Sequence, residues 1–513
     1  MNNTVIIPTA GLGSRMGNYT KNLNKALLPY LNKPVLSHII EQFPKDTHFI
    51  IPVGYLAQQV KDFCQIAYSD RHIEFIEIDD WTSPKSGTGY SVLQCKSAVN
   101  KPFWYVTCDT YFDQAVLDKV QDRDCYFVKH VPEDISALYT MFKIAEDNTI
   151  EDITFKQRQS SNWAAWTGLM YIHNWQRFFD DLTAHNGTEF IPIIRRGSDI
   201  ATLDTWLDFG SADQYTTALS KSQKFDFSKT DEVTYICNNR VVKWWLDAST
   251  SKKKYEKFQA NLDVFPANCQ YVGNYMAYDF HPGQTLYNFD DPSIFPKFLD
   301  WLKTNLWQPV DMDLQEACND FYKTKTLNRI NKFLEKYPGL STVEYVNGLK
   351  VNDYKYYLDK IDWDWLSTSY AAGFIHGDLQ FDNVIIDDNL SFKAIDWRHE
   401  FARVVEYGDI YYDLGKILGG FIINYSDIKK HNFTFEINGD SVTIGVPSIN
   451  HSDVYQKQLK EFVTEQGLDY KKVQTLVPII FWNMSPLHTA PFDLFLWYLG
   501  IKLFQELENA NYS

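Results

Sequence analysis

Paired cysteines are what this 513-residue sequence most clearly lacks. Its 7 cysteines, at 64, 95, 108, 125, 237, 269 and 318, are odd in number and form no Cys-x-x-Cys, which argues against a disulfide framework and against a cysteine zinc site. Long apolar runs are absent as well. The longest near the end, 492–504, is broken by Asp493 and Lys502; it is too short for a membrane span and reads as a buried helix. Positive charge is in deficit. With 49 Lys+Arg against 65 Asp+Glu, a formal net charge of -16, neither nucleic acid nor an anionic membrane is an expected partner. Nothing basic and apolar follows Met1-Asn2-Asn3, so a cytoplasmic protein is expected. There is no repeat and no low-complexity tract.

What is present supports packed cores: 45% hydrophobic and 16% aromatic residues, over a length that implies two or three domains. In the first quarter, short apolar runs (5–7, 48–53, 73–76, 103–106) alternate with segments of helical spacing (35–43, 56–67). That pattern predicts an α/β, doubly wound parallel sheet. Further strands are expected at 138–144, 149–155 and 168–172. The polar stretch 220–231 marks a boundary, giving domains 1–222 and 230–513. Beyond it, 233–245 reads as a hairpin turning at Asn238-Asn239, followed by mainly helical chain.

Two stretches carry phosphate chemistry. The first is Thr4-Val5-Ile6-Ile7-Pro8-Thr9-Ala10-Gly11-Leu12-Gly13-Ser14-Arg15-Met16-Gly17, with Lys25 after it. A strand, a glycine loop and a helix make a phosphate site because backbone N–H groups reach phosphate oxygens only where side chains are absent. Gly17 falls one residue late for a dinucleotide fingerprint, and no Gly-Lys-Ser/Thr completes a Walker loop. Instead, Gly11-x-Gly13-Ser14-Arg15-Met16 with Lys25-Ala26-Leu27-Leu28-Pro29 closely resembles the nucleotidyltransferase family, which includes sugar-1-phosphate nucleotidyltransferases and bacterial-type phosphocholine cytidylyltransferases. The resemblance implies a Rossmann-like domain. It also implies that Gly11 and Gly13 wrap the triphosphate, that Arg15 and Lys25 neutralise it, and that Gly87 and Thr88 of Ser86-Gly87-Thr88-Gly89 contact the base. By the same resemblance Asp109, in Val106-Thr107-Cys108-Asp109, and Asp208, in Trp206-Leu207-Asp208-Phe209-Gly210, hold Mg²⁺. Asn24 departs from the family, which has Pro there. Lys156 is open between the family's substrate-phosphate lysine and a solvated charge.

The second stretch is Phe374-Ile375-His376-Gly377-Asp378, then Asn383, then Ile395-Asp396-Trp397. It resembles the aminoglycoside phosphotransferase and choline kinase family, which shares the bilobal, protein-kinase-like α+β fold. The resemblance implies that Asp378 orients or deprotonates a substrate hydroxyl, and that Asn383 and Asp396 bind Mg²⁺ on ATP. It further implies that Lys243 contacts the ATP phosphates and that Glu256 orients Lys243. Gly377 in place of Arg, and Asp-Trp in place of Asp-Phe-Gly, favour a small-molecule kinase. Asp409 and Asp413 match acidic positions of the family's next helix. Trp397, Tyr411, Tyr412, Trp482 and Trp497 are candidates to line a substrate pocket.

A kinase makes a phosphate ester and a nucleotidyltransferase consumes one. The expectation is therefore a bifunctional enzyme: ATP phosphorylates a small alcohol or sugar, then an NTP of undetermined base converts the ester to an NDP-activated donor, plausible for surface glycan synthesis. Two alternatives stay open: an amino alcohol such as choline as substrate, or a C-terminal half that is a non-catalytic nucleotide-binding module. Either a monomer or an oligomer fits the sequence.

Overall fold

A computed structural model describes residues 3–83, 86–113, 115–160, 162–185, 187, 189–222, 231–288, 291–340 and 343–511. They fall into two compact units, Met1–Ser251 with Gln270–Tyr278, and Lys252–Cys269 with Asp279–Ser513.

The first unit is built on a nine-stranded mixed sheet. Strand Thr4–Ile6 lies between Phe103–Val106 and His48–Val53, parallel to both, and His72–Glu77 continues in parallel beyond. Here the doubly wound expectation holds, with helices Val35–Glu41, Ala57–Ala67 and Thr88–Leu93 as crossovers. The sheet then turns antiparallel. The long strand Trp163–Ile172 pairs with Phe103–Val106, with Cys125–Lys129 and with Thr140–Ile144, and Ile150–Phe155 forms the edge.

Both sheet faces are buried, and the period of two along each strand divides two cores. Val5, Phe49, Ile51, Trp104 and Val106 point to one core. Ile6, Ile50, Phe103 and Tyr105 point to the other. Burial of each such side chain contributes about 1.5–3 kcal/mol. The strand ends near Ile6 and Val106 are thereby fixed side by side, which places the loops that follow them at one edge.

The hairpin forms as the sequence predicts: Glu232–Cys237 pairs with Arg240–Trp245, and Asn238 and Asn239 take φ of 47° and 56°. With Gln270–Val272 and Tyr275–Asp279 it makes a four-stranded sheet. The boundary at 222–230 assigns this sheet to the later chain, yet it clusters with the first unit. Tyr235 Oη donates to the Leu27 carbonyl, Asn238 to the Ala67 carbonyl and Arg240 to the Ile66 carbonyl, while the Phe63 ring meets Tyr235 and Tyr275. The segment 223–230 lies outside the described residues.

The second unit is mainly helical. Helix Tyr470–Met484 packs against both Ile410–Gly420 and Phe492–Asn511. Three of its tryptophans are core: Trp397, Trp482 and Trp497 are fully buried, Trp482 Nε1 donates to the Trp497 carbonyl, and Trp397 Nε1 to the Lys254 carbonyl. The pocket-lining expectation for these three is corrected by that burial. Tyr411 is likewise turned to structure, its hydroxyl accepting from the Asp469 N–H. Asp409 and Lys472, both wholly buried, pair at 2.8 Å, and Tyr322 Oη also donates to Asp409. All seven cysteines are free. No helix among the described residues is long and apolar enough to cross a membrane.

His38 gives the first unit an acid-sensitive joint. Burial first, and Lys33 after it, hold its imidazole below the ordinary value of 6.5, against the pull of the Tyr30 carbonyl that it meets at 2.8 Å. Below that ordinary value the unfolded chain binds a proton the folded chain resists, so stability falls as pH drops through it. Melting temperature against pH should be steeper between pH 7 and about 5 in the parent than in His38→Gln. Identical slopes would refute this account of His38.

Candidate active sites

Strand Thr4–Ile6 ends in the glycine loop and the short helix Ser14–Thr20. Gly13 sits at φ 63°, where L side chains are strained, and a Cβ there would press on Thr20 at 3.1 Å. Gly11 has no atom within 4 Å of its absent Cβ, so its backbone stays open. Across a cavity of about 360 Å³ stand Gly87 and Thr88, Cys108 and Asp109, Lys25 and Gly210. Arg15 lines it from an exposed position.

The register of two short strands joins the distant carboxylates. Trp206–Asp208 runs antiparallel to Thr110–Phe112 with Asp208 opposite Thr110, and Phe209 N–H donates to the Asp109 carbonyl at 2.8 Å. Trp206 Nε1 locks the pair by donating to Thr110 Oγ1 at 2.7 Å. Gly210 N–H donates to Asp208 Oδ1 at 2.7 Å, and a Cβ at Gly210 would come within 2.8 Å of that same oxygen. Gln214 holds the other oxygen at 2.8 Å.

Lys25 Nζ lies 2.5 Å from Asp109 Oδ2 and 3.4 Å from the Gly210 carbonyl. Burial works against the Asp109 charge, but Lys25, Thr107 and Arg15 outweigh it and hold the carboxyl below its ordinary value. At Asp208 the Gln214 and Gly210 bonds and the more distant Lys25 act the same way but do not prevail. Burial first, and the Asp109 charge second, push it up to about 6. Two carboxylates that oppose each other's ionisation suit a divalent cation. Among the described residues no group of three or more His, Cys, Asp and Glu gathers for a metal. A cation here would take two carboxylates from the chain and its other ligands from phosphate and water, the set Mg²⁺ favours.

Asn24 fills the family's proline position by other means. Its φ of -61° and ψ of 142° match the backbone a proline would impose. The fully buried side chain donates to the Thr9 and Tyr55 carbonyls and accepts from Ala26 N–H. Asn24→Ala would strand three backbone groups and should cost roughly 3 kcal/mol, read as a lowered midpoint in urea. An unchanged midpoint would refute the brace. Lys156 is exposed, at φ 50°, with its ammonium over the Phe155 ring.

The second cluster is organised by buried groups, of which the sequence does not single out Trp307 or Lys416. His376 is fully buried; Nδ1 accepts from Asp378 N–H at 3.2 Å, so Nε2 carries the proton and donates to the Ile395 carbonyl at 2.9 Å. Burial pushes its imidazole down to about 4. Asp413 accepts from His376 and Gly377 N–H, each at 2.8 Å, and from Trp307 Nε1. Gly377, at φ 82°, lies where a Cβ would come within 2.7 Å of Arg398.

The loop so held presents Asp378. Asn383 Nδ2 donates to the Asp378 carbonyl at 2.8 Å, and the Ile395 N–H to the Asn383 carbonyl at 2.8 Å. Asp396, at φ 58°, is close enough to oppose ionisation of Asp378. Lys416 Nζ sits 2.8 Å from Asp378 and, against burial, keeps that carboxyl below its ordinary value.

The Glu256 expectation is corrected. Along helix Ala248–Ala260 the buried positions are Ser251, Lys254, Lys257 and Phe258, a helical period that leaves Lys252 and Glu256 outside, paired with each other at 3.8 Å. Lys254 reaches Asp396 at 3.5 Å. Lys243, in the first unit, pairs with Glu232 at 2.9 Å. Asp409, N-cap of its helix and partner of Lys472, is structural.

No family model matches the chain. It is 31% identical over 114 residues to the bifunctional protein GlmU of Methanococcus vannielii, covering 22% of this chain and 26% of that protein. It is 30% identical over 128 residues to UTP–glucose-1-phosphate uridylyltransferase 2 of Streptococcus pyogenes serotype M3, covering 21% of this chain and 43% of that protein. The chain thus spans less than half the length of each. A search of solved structures found the CTP:phosphocholine cytidylyltransferase of Streptococcus pneumoniae at 19% identity and a TM-score of 0.35, covering 42% of this chain and 97% of that one. The N-terminal part of the chain is related to nucleotidyltransferases.

Proposed function

We propose that the chain makes a phosphate ester and then activates it. In the first unit the phosphate oxygen of the ester attacks the α-phosphorus of an NTP. The bond to the β-phosphate breaks and pyrophosphate leaves, giving an NDP-linked donor of the class used in glycan assembly. Arg15, Lys25 and the open backbone at Gly11–Gly13 receive the triphosphate, and Gly87 with Thr88 receives the base. Mg²⁺ held by Asp109 and Asp208 would supply positive charge against attacking and leaving phosphates. The observation that carries this reading is the convergence of Lys25, Asp109 and Asp208, from three separate segments, beside one glycine loop.

In the second unit a substrate hydroxyl attacks the γ-phosphorus of ATP, ADP leaves, and the hydroxyl proton passes through Asp378. Because Lys416 keeps Asp378 well ionised, its main work is to orient the hydroxyl and to take the proton late. Asn383 and Asp396 would hold the Mg²⁺ that neutralises the ATP phosphates. Lys254 meets Asp396 at 3.5 Å.

The test is to incubate the full chain with ATP, each of CTP, UTP, GTP and dTTP, and a panel of small alcohols and sugars, with products weighed by mass spectrometry. One alcohol should yield both its phosphate and an NDP-linked product. Pyrophosphate release without any ATP-dependent ester would reduce the chain to a nucleotidyltransferase alone.

A further inference from the structure

Around Asp378 the second unit gathers several cations from separate segments. Lys416 lies 2.8 Å from Asp378. Lys325 Nζ stands 3.4 Å from the Phe321 ring centroid and 5.7 Å from that of Tyr412. The Arg398 guanidinium is 5.1 Å from the same Phe321 ring. Arg329 follows Lys325 by one turn on helix Lys325–Lys336, hence on the same face. Among the described residues neither Lys325 nor Arg329 forms an ion pair with an acid.

These cations feel one another. The Lys325 ammonium is held well below its ordinary value, by burial first and then by Arg398, Arg329 and Lys416, with Asp378 acting the other way. Burial and Arg398 also lower Arg329. Like charges kept together in a partly dehydrated place are destabilising unless a ligand answers them. Lys254 beside Asp396 comes from a different helix and marks the side given to Mg·ATP.

We propose that the alcohol phosphorylated at Asp378 is an anion: a sugar or polyol bearing a phosphate or carboxylate group, which Lys325, Arg329 and Arg398 hold while Asp378 meets its hydroxyl. This rests on the kinase reading of the second unit. Two guanidinium forks and an ammonium match an oxyanion. A quaternary amine would meet repulsion from the same groups, which tells against choline.

The full chain is titrated calorimetrically with inorganic phosphate, glucose 6-phosphate, glucuronate, choline and a non-hydrolysable ATP analogue with Mg²⁺. Parent, Lys325→Gln, Arg329→Gln and Asp396→Asn are compared. The glycine loop of the first unit can also take phosphate, so the difference between parent and variants is the reading. The expected result is binding of at least one anion that weakens roughly tenfold or more in Arg329→Gln and Lys325→Gln, with choline silent. Glucose 6-phosphate against glucuronate distinguishes phosphate from carboxylate. Retained affinity for the ATP analogue shows that the variants are folded. Anion binding unmoved by both substitutions, or tighter binding of choline, overturns the proposal. A parallel loss of ATP affinity assigns the cations to the nucleotide and overturns it too. Failure of the kinase reading has its own signature: anion binding sensitive to Arg329→Gln persists, while affinity for the ATP analogue ignores Asp396→Asn.

Discussion

Asp208→Asn should slow pyrophosphate release from NTP and a supplied phosphate ester by roughly a thousandfold, while leaving the ATP-dependent step intact. Asp109→Asn should do the same, but the two differ in what they do to the fold. Asp109 pairs with Lys25 at 2.5 Å, and both are largely buried. Removing its charge strands an ammonium, so Asp109→Asn should also lower the melting temperature. Asp208 is the opposite case. Burial and the Asp109 charge already push its carboxyl up to about 6, and its oxygens accept from Gly210 N–H and Gln214. An asparagine relieves the repulsion and keeps the Gly210 bond, so Asp208→Asn should melt no lower than the parent. A variant as stable as the parent but slow in nucleotidyl transfer ties the carboxylate to the chemistry. Parent-like rates in both variants would sink the metal assignment.

The two candidate sites were legible to different depths, and the reasons are physical. Gly11, Gly13, Lys25, Asp109 and Asp208 stand out in the sequence through their resemblance to the motifs of one family, and in the structure the first four line one cavity while Asp208 lies near enough to feel the Asp109 and Lys25 charges. The brace at Asn24 was not legible: its partners Thr9 and Tyr55 are distant in sequence, and only the fold shows that a proline-like backbone has been kept. Glu256 was misread because the helix carries lysines at 252, 253, 254 and 257, and composition does not say which face is buried. Once Ser251 and Phe258 define that face, Lys254 and Lys257 follow by period. Lys325, Arg329, Arg398 and Lys416 come from three separate segments, and no local motif announces them. The four-stranded sheet shows a related limit. A polar stretch marks a boundary in the sequence, but not which neighbour the next apolar face will choose.

Asp378→Asn should stop ADP formation with the alcohol substrate, by about a hundredfold to ten-thousandfold, and should leave conversion of a supplied phosphate ester at the parent rate. Asparagine is the better probe than alanine. Lys416 is 6% exposed and 2.8 Å from the carboxylate, so alanine would leave it facing a void as well as an absent charge. Asparagine keeps the volume and an oxygen for Lys416, while removing the ability to orient a hydroxyl through an anion and to take its proton. The loop itself should survive, since His376, Gly377 and Asn383 hold it through Asp413, Ile395 and the Asp378 carbonyl rather than through the Asp378 side chain. Independence of the first reaction follows from its inventory. Gly11, Arg15, Lys25, Asp109 and Asp208 all belong to the first unit, as do Gly210 and Gln214, which bond to Lys25 and Asp208. Parent-rate ADP formation by Asp378→Asn would remove Asp378 from the chemistry. Loss of ester conversion in the same variant would mean that the two reactions are coupled, and the reading of two self-sufficient sites would give way to one in which the second unit governs the first.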